Sequence, residues 1–139
     1  MKKIYLLLLP ALAFTLLACN QKSRSEAVAV GNAYMDTFMK ADVMEMANYS
    51  EPKIAEEFRR KHREDTTGYR NILMQEFMKR GDSYVLDDRE TEIKSNEAEI
   101  VYRINSRESN VLWATVELDM IKIDGKWTIS EIDVDYPND

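Results

Sequence analysis

Acidic side chains near the carboxyl end of the chain have the types and the spacing that could do chemistry. Glu131, Asp133 and Asp135 alternate along one predicted strand, which places their carboxylates on the same face of a sheet. Glu117 and Asp119 alternate on the preceding predicted strand, and a simple hairpin would bring them close to that face. Like charges on neighbouring strands repel, so this face must be solvated, neutralised by a cation or directed at a basic partner. The spacing matches no calcium-binding loop.

Aromatic residues form a second candidate set, because they could line a ligand pocket: Tyr34, Phe38, Tyr69, Tyr102 and Trp113. Proton transfer in such a pocket would need a carboxylate or histidine base that faces a tyrosine or an acid. No acidic residue falls on the apolar stripe of the first predicted helix, and His62 lies in a charged run. Aromatics at helical and strand spacing usually belong to a core, so we expect no catalytic site.

The length and the rare residue types narrow the classes of site further. A chain of 139 residues allows one domain after any leader is removed. One cysteine excludes an intramolecular disulfide and a cysteine-built metal cluster, and one histidine leaves no histidine pair for zinc. We expect neither a resident metal nor a cofactor.

The first 18 residues have the features of a secretory signal peptide. Two lysines precede residues 4–18, which carry no charge. This apolar run of about 15 residues is shorter than the ~20 that span a bilayer, and Pro10 interrupts it. A permanent transmembrane helix is therefore not expected.

The end of this segment resembles the lipobox of bacterial lipoproteins. Leu16-Leu17-Ala18-Cys19 has a small residue before the cysteine, whose sulfur would receive a diacylglyceryl group and become the first residue after cleavage. The resemblance predicts a lipid anchor at Cys19, a polar tether over residues 19–25 and a folded domain over residues 26–139. The alternative is a plain secretory signal followed by an incidental free cysteine.

The predicted anchor implies a location in the bacterial cell envelope. Several acyl chains, at about 0.8 kcal/mol per buried CH₂, hold a protein on a membrane more firmly than one chain does. Asn20 is not the aspartate that resembles an inner-membrane retention signal in enterobacterial lipoproteins. The outer membrane is therefore preferred over the inner membrane.

The charge distribution excludes one class of partner. Removal of residues 1–18 takes away two lysines and no acid, so the net charge changes from −6 to −8. Residues 81–139 contain 6 basic and 15 acidic residues. Phosphate binding needs a surplus of Lys and Arg on one face, so no nucleic-acid partner is expected. The basic run over residues 59–63 is flanked by acids and is typical of a solvated helix face.

The amino-terminal half predicts helices. Ser23 and Glu26 have capping-box spacing before an amphipathic stretch, and Asp42 and Glu45 repeat this spacing before a short second helix that ends near residue 49. Pro52 starts a third helix, and apolar spacing predicts another over residues 69–80.

From residue 83 onward the apolar period changes to two. Strands are predicted over residues 85–93, 97–105, 111–123 and 126–136, with a hairpin at Asp124-Gly125. The apolar positions change parity after Met120 and again after Ile129. Each change implies a bulge, a strong twist or a change in the covered face. Helices followed by an antiparallel meander predict an α+β fold with the helices on one face of a curved sheet.

This order of elements, ending in Ile121-Lys122-Ile123-Asp124-Gly125-Lys126-Trp127, resembles the cystatin-like, nuclear-transport-factor-2-like superfamily, which includes lumazine-binding-like proteins. It looks closest to the small uncharacterised bacterial lipoproteins of that superfamily. The resemblance covers residues 25–136 and implies a curved sheet that wraps helices into a cone. The superfamily includes isomerases, dehydratases, transport factors and interaction modules, so the fold alone fixes no activity.

The sequence therefore predicts a lipid-anchored envelope protein with a non-catalytic domain that binds a protein or a small molecule. The alternative is a small pocket enzyme, similar to isomerases or dehydratases, or a ligand carrier that uses the mouth of the cone. A third possibility is an inhibitor or immunity-type module that acts through the acidic face.

Overall fold

Helices precede strands in the part of the chain that the computed structural model describes, which is residues 5–64, 79, 81–109 and 111–137. The described helices and strands are α1 (Tyr5–Phe38), α2 (Val43–Tyr49), α3 (Pro52–Glu64), β1 (Gly81–Leu86), β2 (Glu92–Ile93), β3 (Glu97–Ser106), β4 (Leu112–Ile123) and β5 (Lys126–Asp135). The predicted α+β class is confirmed. The helix predicted over residues 69–80 lies almost entirely outside the described residues.

The short helix α2 has the boundaries that its capping signal predicts. The Asp42 carboxylate accepts a hydrogen bond from the Glu45 backbone N–H at 3.0 Å. The Glu45 carboxylate accepts from the Asn48 side-chain amide at 2.9 Å, so the capping contact is one-sided. At the other end, the Ser50 hydroxyl donates to the Met46 carbonyl at 3.0 Å.

Helix α1 begins earlier than the Ser23 capping signal predicts. It is continuous from residue 5, so residues 20–25, predicted as a patternless tether, are helical. No glycine or proline lies between residues 11 and 30 to interrupt the helix. Contacts with the sheet also hold this segment: Lys122 Nζ donates to Ser23 Oγ at 3.2 Å, and Arg24 forms an ion pair with Asp88 at 2.8 Å.

The sheet is antiparallel, with the order β1-β3-β4-β5, and β2 also pairs with β3. The strand predicted over residues 85–93 is wrong, because a turn over residues 87–91 separates β1 from β2. Two hydrogen bonds stabilise this turn: the Asp87 carboxylate accepts from the Arg89 N–H at 3.1 Å within the turn, and the Thr91 hydroxyl accepts from the Val101 N–H of β3 at 3.1 Å. Arg103 forms an ion pair with Asp87.

The core lies between α1 and the inner face of the sheet. Alternate residues of the strands are buried here, together with one side of α1, and the largest fully buried side chains are Tyr34, Tyr102, Met35, Ile100, Ile104, Leu118, Met120, Ile129 and Val116. This packing assigns an inner face and an outer face to every strand of the sheet.

A bulge at Ser130 changes which residues of β5 face the core. Asp119 pairs with Glu131 and Met120 pairs with Ile129, so Ser130 has no partner in the register. The predicted bulge or twist after Ile129 is therefore a bulge. The register stays regular from Met120 to Ile123, so the other parity change reflects apolar residues on the less covered outer face.

Candidate functional site

Carboxylates cover much of the outer face of the sheet, on the side away from α1. The strand period of two alternates them with core residues such as Val116 and Leu118, and the Ser130 bulge keeps this alternation in phase across β4 and β5. We name this set the acidic face, and its members are Glu99, Glu117, Asp119, Glu131, Asp133 and Asp135. The structure thus brings together all five acidic residues that the sequence singled out.

The register places like charges directly opposite one another across three strands. Asp119 lies opposite Glu99 on one side and opposite Glu131 on the other. Glu117 lies opposite Asp133. Directly opposed like charges destabilise a sheet, so these positions carry a cost that apolar or polar residues would not.

Glu99 is not among the site residues that the sequence pattern predicts. Its alternation with Ile100 already placed it on the outer face of β3, but only the β3–β4 register could show that it lies opposite Asp119. Carboxylate oxygens of Glu99, Glu117 and Asp119 all lie within 4.8 Å of one another. These three residues are therefore the most concentrated part of the acidic face.

The electrostatic cost is visible at Glu117. Partial burial raises the pKa of this carboxyl group above its ordinary value, and the neighbouring charges of Glu99 and Asp119, with those of Asp133 and Glu131, raise it further. Among the ion pairs between described residues, none includes a carboxylate of the acidic face. Within the part of the chain that the structure describes, the negative charge of this face is therefore not paired with a basic side chain.

A shallow groove of about 270 Å³ extends the acidic face toward β2. The residues that line it include Glu99 and Asp119, which belong to the acidic face, and also Glu92, Lys94, Glu97 and Ile121. The Ser130 hydroxyl at its floor is already used, since it donates to the Asp119 carbonyl at 3.1 Å. The groove could hold the stem of a lysine or arginine side chain while the carboxylates bind its charge.

Oxygen ligands alone would suit a hard cation rather than a transition metal. A calcium ion takes oxygen ligands at about 2.3–2.6 Å, so oxygens within 4.8 Å of one another can share one coordination sphere. The arrangement can thus bind either a cationic side chain or a hard metal ion.

Unlike the acidic residues, the aromatic residues that could line a pocket do not form one site among the described residues. Tyr34, Phe38 and Tyr102 are buried in the core between α1 and the sheet. Trp113 is half-buried and packs edge-to-face against Tyr136, with ring centroids 5.8 Å apart. Tyr69 lies outside the described residues.

One tyrosine and one carboxylate do meet, beside the end of α1. Tyr84 donates its hydroxyl hydrogen to Asp36 Oδ1 at 2.7 Å, and the Tyr102 hydroxyl donates to Asn32 Oδ1 at 2.9 Å. The two tyrosine rings pack edge-to-face at 5.4 Å. Burial, then the hydrogen bond and charge of Asp36, raise the pKa of Tyr84 to about 12, and burial raises that of Tyr102. Asp36 itself is exposed, so this pair does not lie in a deep pocket.

The basic run of α3 is largely neutralised by its own helix. Arg60 pairs with Glu64 at 2.8 Å, and Arg63 lies 3.1 Å from Glu56. Lys61 pairs with Glu57, one turn earlier in the helix. Exposed ion pairs of this kind contribute little to stability. The run therefore presents far less positive charge than its sequence implies.

Cys19, the predicted site of lipidation, lies within α1. None of the described helices has both the length and the apolar character that crossing a membrane requires. Comparison with models of known protein families and with curated proteins finds no match for this chain.

Proposed function

We propose that this protein is a lipid-anchored protein of the bacterial cell envelope, with acyl chains on Cys19 and a single non-catalytic α+β domain. The domain binds a basic segment of a protein partner through the acidic face. The outer membrane is the preferred location, because Asn20 follows the acylated cysteine instead of an aspartate.

The observation that carries the binding proposal is the register of like charges. Placing Asp119 between Glu99 and Glu131 lowers the stability of the sheet, and no described basic side chain offsets the charge. A cationic partner would remove this cost on binding, and the groove beside Asp119 and Ile121 offers space for an aliphatic stem. A long-range negative field would also steer a basic partner toward the face.

We also propose that the domain has the cone-shaped fold of the superfamily that its sequence resembles. The helices pack on one face of an antiparallel sheet, and the bulge at Ser130 strengthens the local twist. Both features agree with the cone of the cystatin-like, nuclear-transport-factor-2-like superfamily, in which interaction modules occur beside enzymes. A non-catalytic member is consistent with the position of the aromatic residues in the core.

The alternative, a small pocket enzyme or ligand carrier, would use the tyrosines. Acid–base catalysis works best with a pKa near the operating pH, whereas burial moves the pKa of Tyr84 to about 12. Asp36 beside it is exposed to solvent, which deprives the pair of a dry site. These observations favour the binding module over the enzyme.

The lipid anchor is tested by the Cys19→Ala variant. We expect the wild-type chain in the membrane fraction, with a mature mass that includes acyl chains on residue 19, and the variant in the soluble fraction. An unmodified thiol on the mature wild-type protein, or a variant that stays with the membrane, would contradict the anchor.

The binding face is tested with an oligolysine peptide as the probe. The variant that combines Glu131→Gln, Asp133→Asn and Asp135→Asn should bind this peptide about tenfold more weakly, which corresponds to about 1.4 kcal/mol. A matched control neutralises three exposed acids elsewhere, Glu26→Gln, Glu64→Gln and Glu108→Gln, and should retain most of the affinity. Equal losses in the two variants would show that only net charge matters and would refute a specific face.

A competition experiment with Ca²⁺ tests whether the acidic face binds a hard metal ion instead of a basic peptide. If Ca²⁺ binds the wild-type protein tightly and displaces oligolysine, a hard cation is the occupant and the peptide proposal fails. If Ca²⁺ competes no better than Na⁺ at equal ionic strength, the peptide proposal is supported.

A further inference from the structure

The amino-terminal part of α1 joins the predicted lipid site to the sheet without a flexible linker. Cys19 and Ser23 lie in the same continuous helix, so the helical rise between them is about 6 Å. Ser23 Oγ accepts a hydrogen bond from Lys122 Nζ at 3.2 Å, and Arg24 pairs with Asp88 at 2.8 Å. The lipid site is therefore close to the carboxyl end of β4.

The contacts along α1 fix its direction over the sheet. Ser23 meets Lys122, whose backbone N–H donates to the Asn96 carbonyl at 2.9 Å just before β3 begins. Thirteen residues later, Asp36 meets Tyr84, which lies opposite Ile104 near the end of β3. Helix α1 thus runs in the direction of β3, and the acylated end lies beside the β4–β5 hairpin.

Three segments share this end of the domain, which we name the anchor end: residues 20–26 of α1, residues 94–97 before and at the start of β3, and residues 122–126 of the hairpin. They contain five basic and three acidic residues, whereas residues 81–139 as a whole contain 6 basic and 15 acidic. Lys22 pairs with Glu26 and Arg24 pairs with Asp88, so the positive charge available to a membrane comes from the lysines of the other two segments. Ile123 at the hairpin is 37% exposed, an apolar side chain beside lysines. This composition suits the interface of an anionic bilayer.

We propose that the anchor end lies directly against the membrane surface, with Ile123 at the lipid interface and Lys94 and Lys126 against anionic headgroups. This inference rests on the proposed lipid at Cys19, because the acyl chains bring this end to the bilayer. The helical connection then gives the domain one preferred orientation instead of free rotation on a tether.

The orientation also places the β5 carboxylates of the acidic face away from the bilayer. Glu131 lies five residues along β5 from Lys126, which is about 16 Å at the rise of a strand. Asp135 lies about 30 Å away on the same estimate. Both distances exceed the Debye length of about 8 Å at physiological ionic strength, so repulsion between these carboxylates and anionic lipids is screened. Glu99 is nearer to the bilayer, because it lies two residues after Glu97 of the anchor end. The β5 carboxylates remain accessible to a partner from the aqueous side.

The test places a nitroxide spin label on the acylated protein in vesicles of phosphatidylcholine and phosphatidylglycerol that contain a nickel-chelating lipid. One variant carries the label at Lys126→Cys in the anchor end. The matched control carries it at Glu108→Cys, an exposed position in the turn at the opposite end of the sheet. β4 connects these ends, and its length corresponds to about 36 Å.

We expect the nickel lipid to relax the label at residue 126 several-fold more than the label at residue 108. A further variant, Ser23→Ala with Arg24→Ala, removes the polar contacts of the anchor-end part of α1 with Lys122 and Asp88, and the difference between the labels should shrink in this background.

Vesicle flotation and the mass of the mature chain report on the lipid anchor in the same samples. If the protein floats and residue 19 is acylated, but the two labels relax equally, the orientation is refuted and the proposed function stands. An unmodified Cys19 with no flotation would overturn both.

Discussion

Replacement of Gly31 by alanine should destabilise the protein, although alanine is the better helix former. A Cβ atom built on Gly31 lies 2.5 Å from the Tyr102 hydroxyl oxygen, closer than such atoms approach in folded proteins. The next contacts, with Ile100 Cδ1 and Tyr102 Cζ, are both at 3.4 Å. The steric clash of the added Cβ atom therefore arises mainly from the Tyr102 hydroxyl oxygen.

Three contributions determine how much Gly31→Ala should change the free energy of unfolding. Overpacking a core contact costs about 1–3 kcal/mol, and movement of the Tyr102 hydroxyl would cost a further ~1 kcal/mol if its bond to Asn32 Oδ1 is lost. Alanine offsets about 0.5–1 kcal/mol of this in a helix interior. The net loss in the free energy of unfolding is about 1–3 kcal/mol.

The Tyr102→Phe background removes the conflicting oxygen. Gly31→Ala should then be neutral or stabilising by up to about 1 kcal/mol, so the double-mutant cycle should give a coupling of about 1–4 kcal/mol. Urea denaturation of the chain without residues 1–18, carrying Cys19→Ser, measures each corner of the cycle. Ala29→Gly on the exposed side of α1 is the control for helix propensity alone. A Gly31→Ala variant as stable as the parent, or a coupling near zero, would refute the close approach of α1 and β3.

Other substitutions test the core, the acidic face and a helix cap by the same denaturation assay. Tyr34→Phe should stabilise by about 1 kcal/mol, because the Tyr34 hydroxyl is buried without a hydrogen-bond partner among the described residues, and a clear loss would reveal a partner. The raised pKa of Glu117 means that the folded state holds this proton more tightly than the unfolded state, so stability falls as the pH rises through the raised pKa. Glu117→Gln should therefore stabilise by about 1 kcal/mol at pH 7 and by little below about pH 4, and the same gain at both pH values would contradict the charge argument. Asp42→Ala should cost about 1 kcal/mol, because the Glu45 N–H loses its partner at the start of α2, and an unchanged denaturation midpoint would show that solvent replaces the cap.

The elements with strong local signals were predictable from the sequence. Asp124 and Gly125 have φ values of 50° and 77°, which are those of a tight hairpin turn, as their residue types indicate. The change of parity after Ile129 predicted a bulge, a strong twist or a change in the covered face, and the register shows that it is a bulge.

Elements that depend on distant contacts were not predictable in the same way. Asp87 and Thr91 make the turn between β1 and β2, but their hydrogen bonds involve Arg103 and Val101 of another strand. The helical state of residues 20–25 likewise depends on sheet residues far along the chain. Local pattern carries no information about these partners.

The candidate site was predictable in composition but not in arrangement. Alternation placed Glu117 and Asp119 on one face, and the hairpin brought Glu131 beside them, as expected. The contribution of Glu99 required the register between β3 and β4, which alternation alone leaves open by steps of two residues. Whether Tyr34 and Tyr102 lie in the core could not be decided from the sequence, because helical and strand spacing cannot distinguish a residue that lines a pocket from a residue of a packed core.

Strand β5 lies at an edge of the sheet, and its first half is covered by another segment of the chain. Ser50 forms a parallel bridge with Ile129, and the Glu51 N–H donates to the Ile129 carbonyl at 2.8 Å, which covers the first half of β5. Beyond this point, among the described residues, the charges of Glu131, Asp133 and Asp135 discourage pairing with a strand from another molecule. A chain in which these carboxylates are neutralised is therefore expected to gain a tendency to form edge-to-edge aggregates at high concentration.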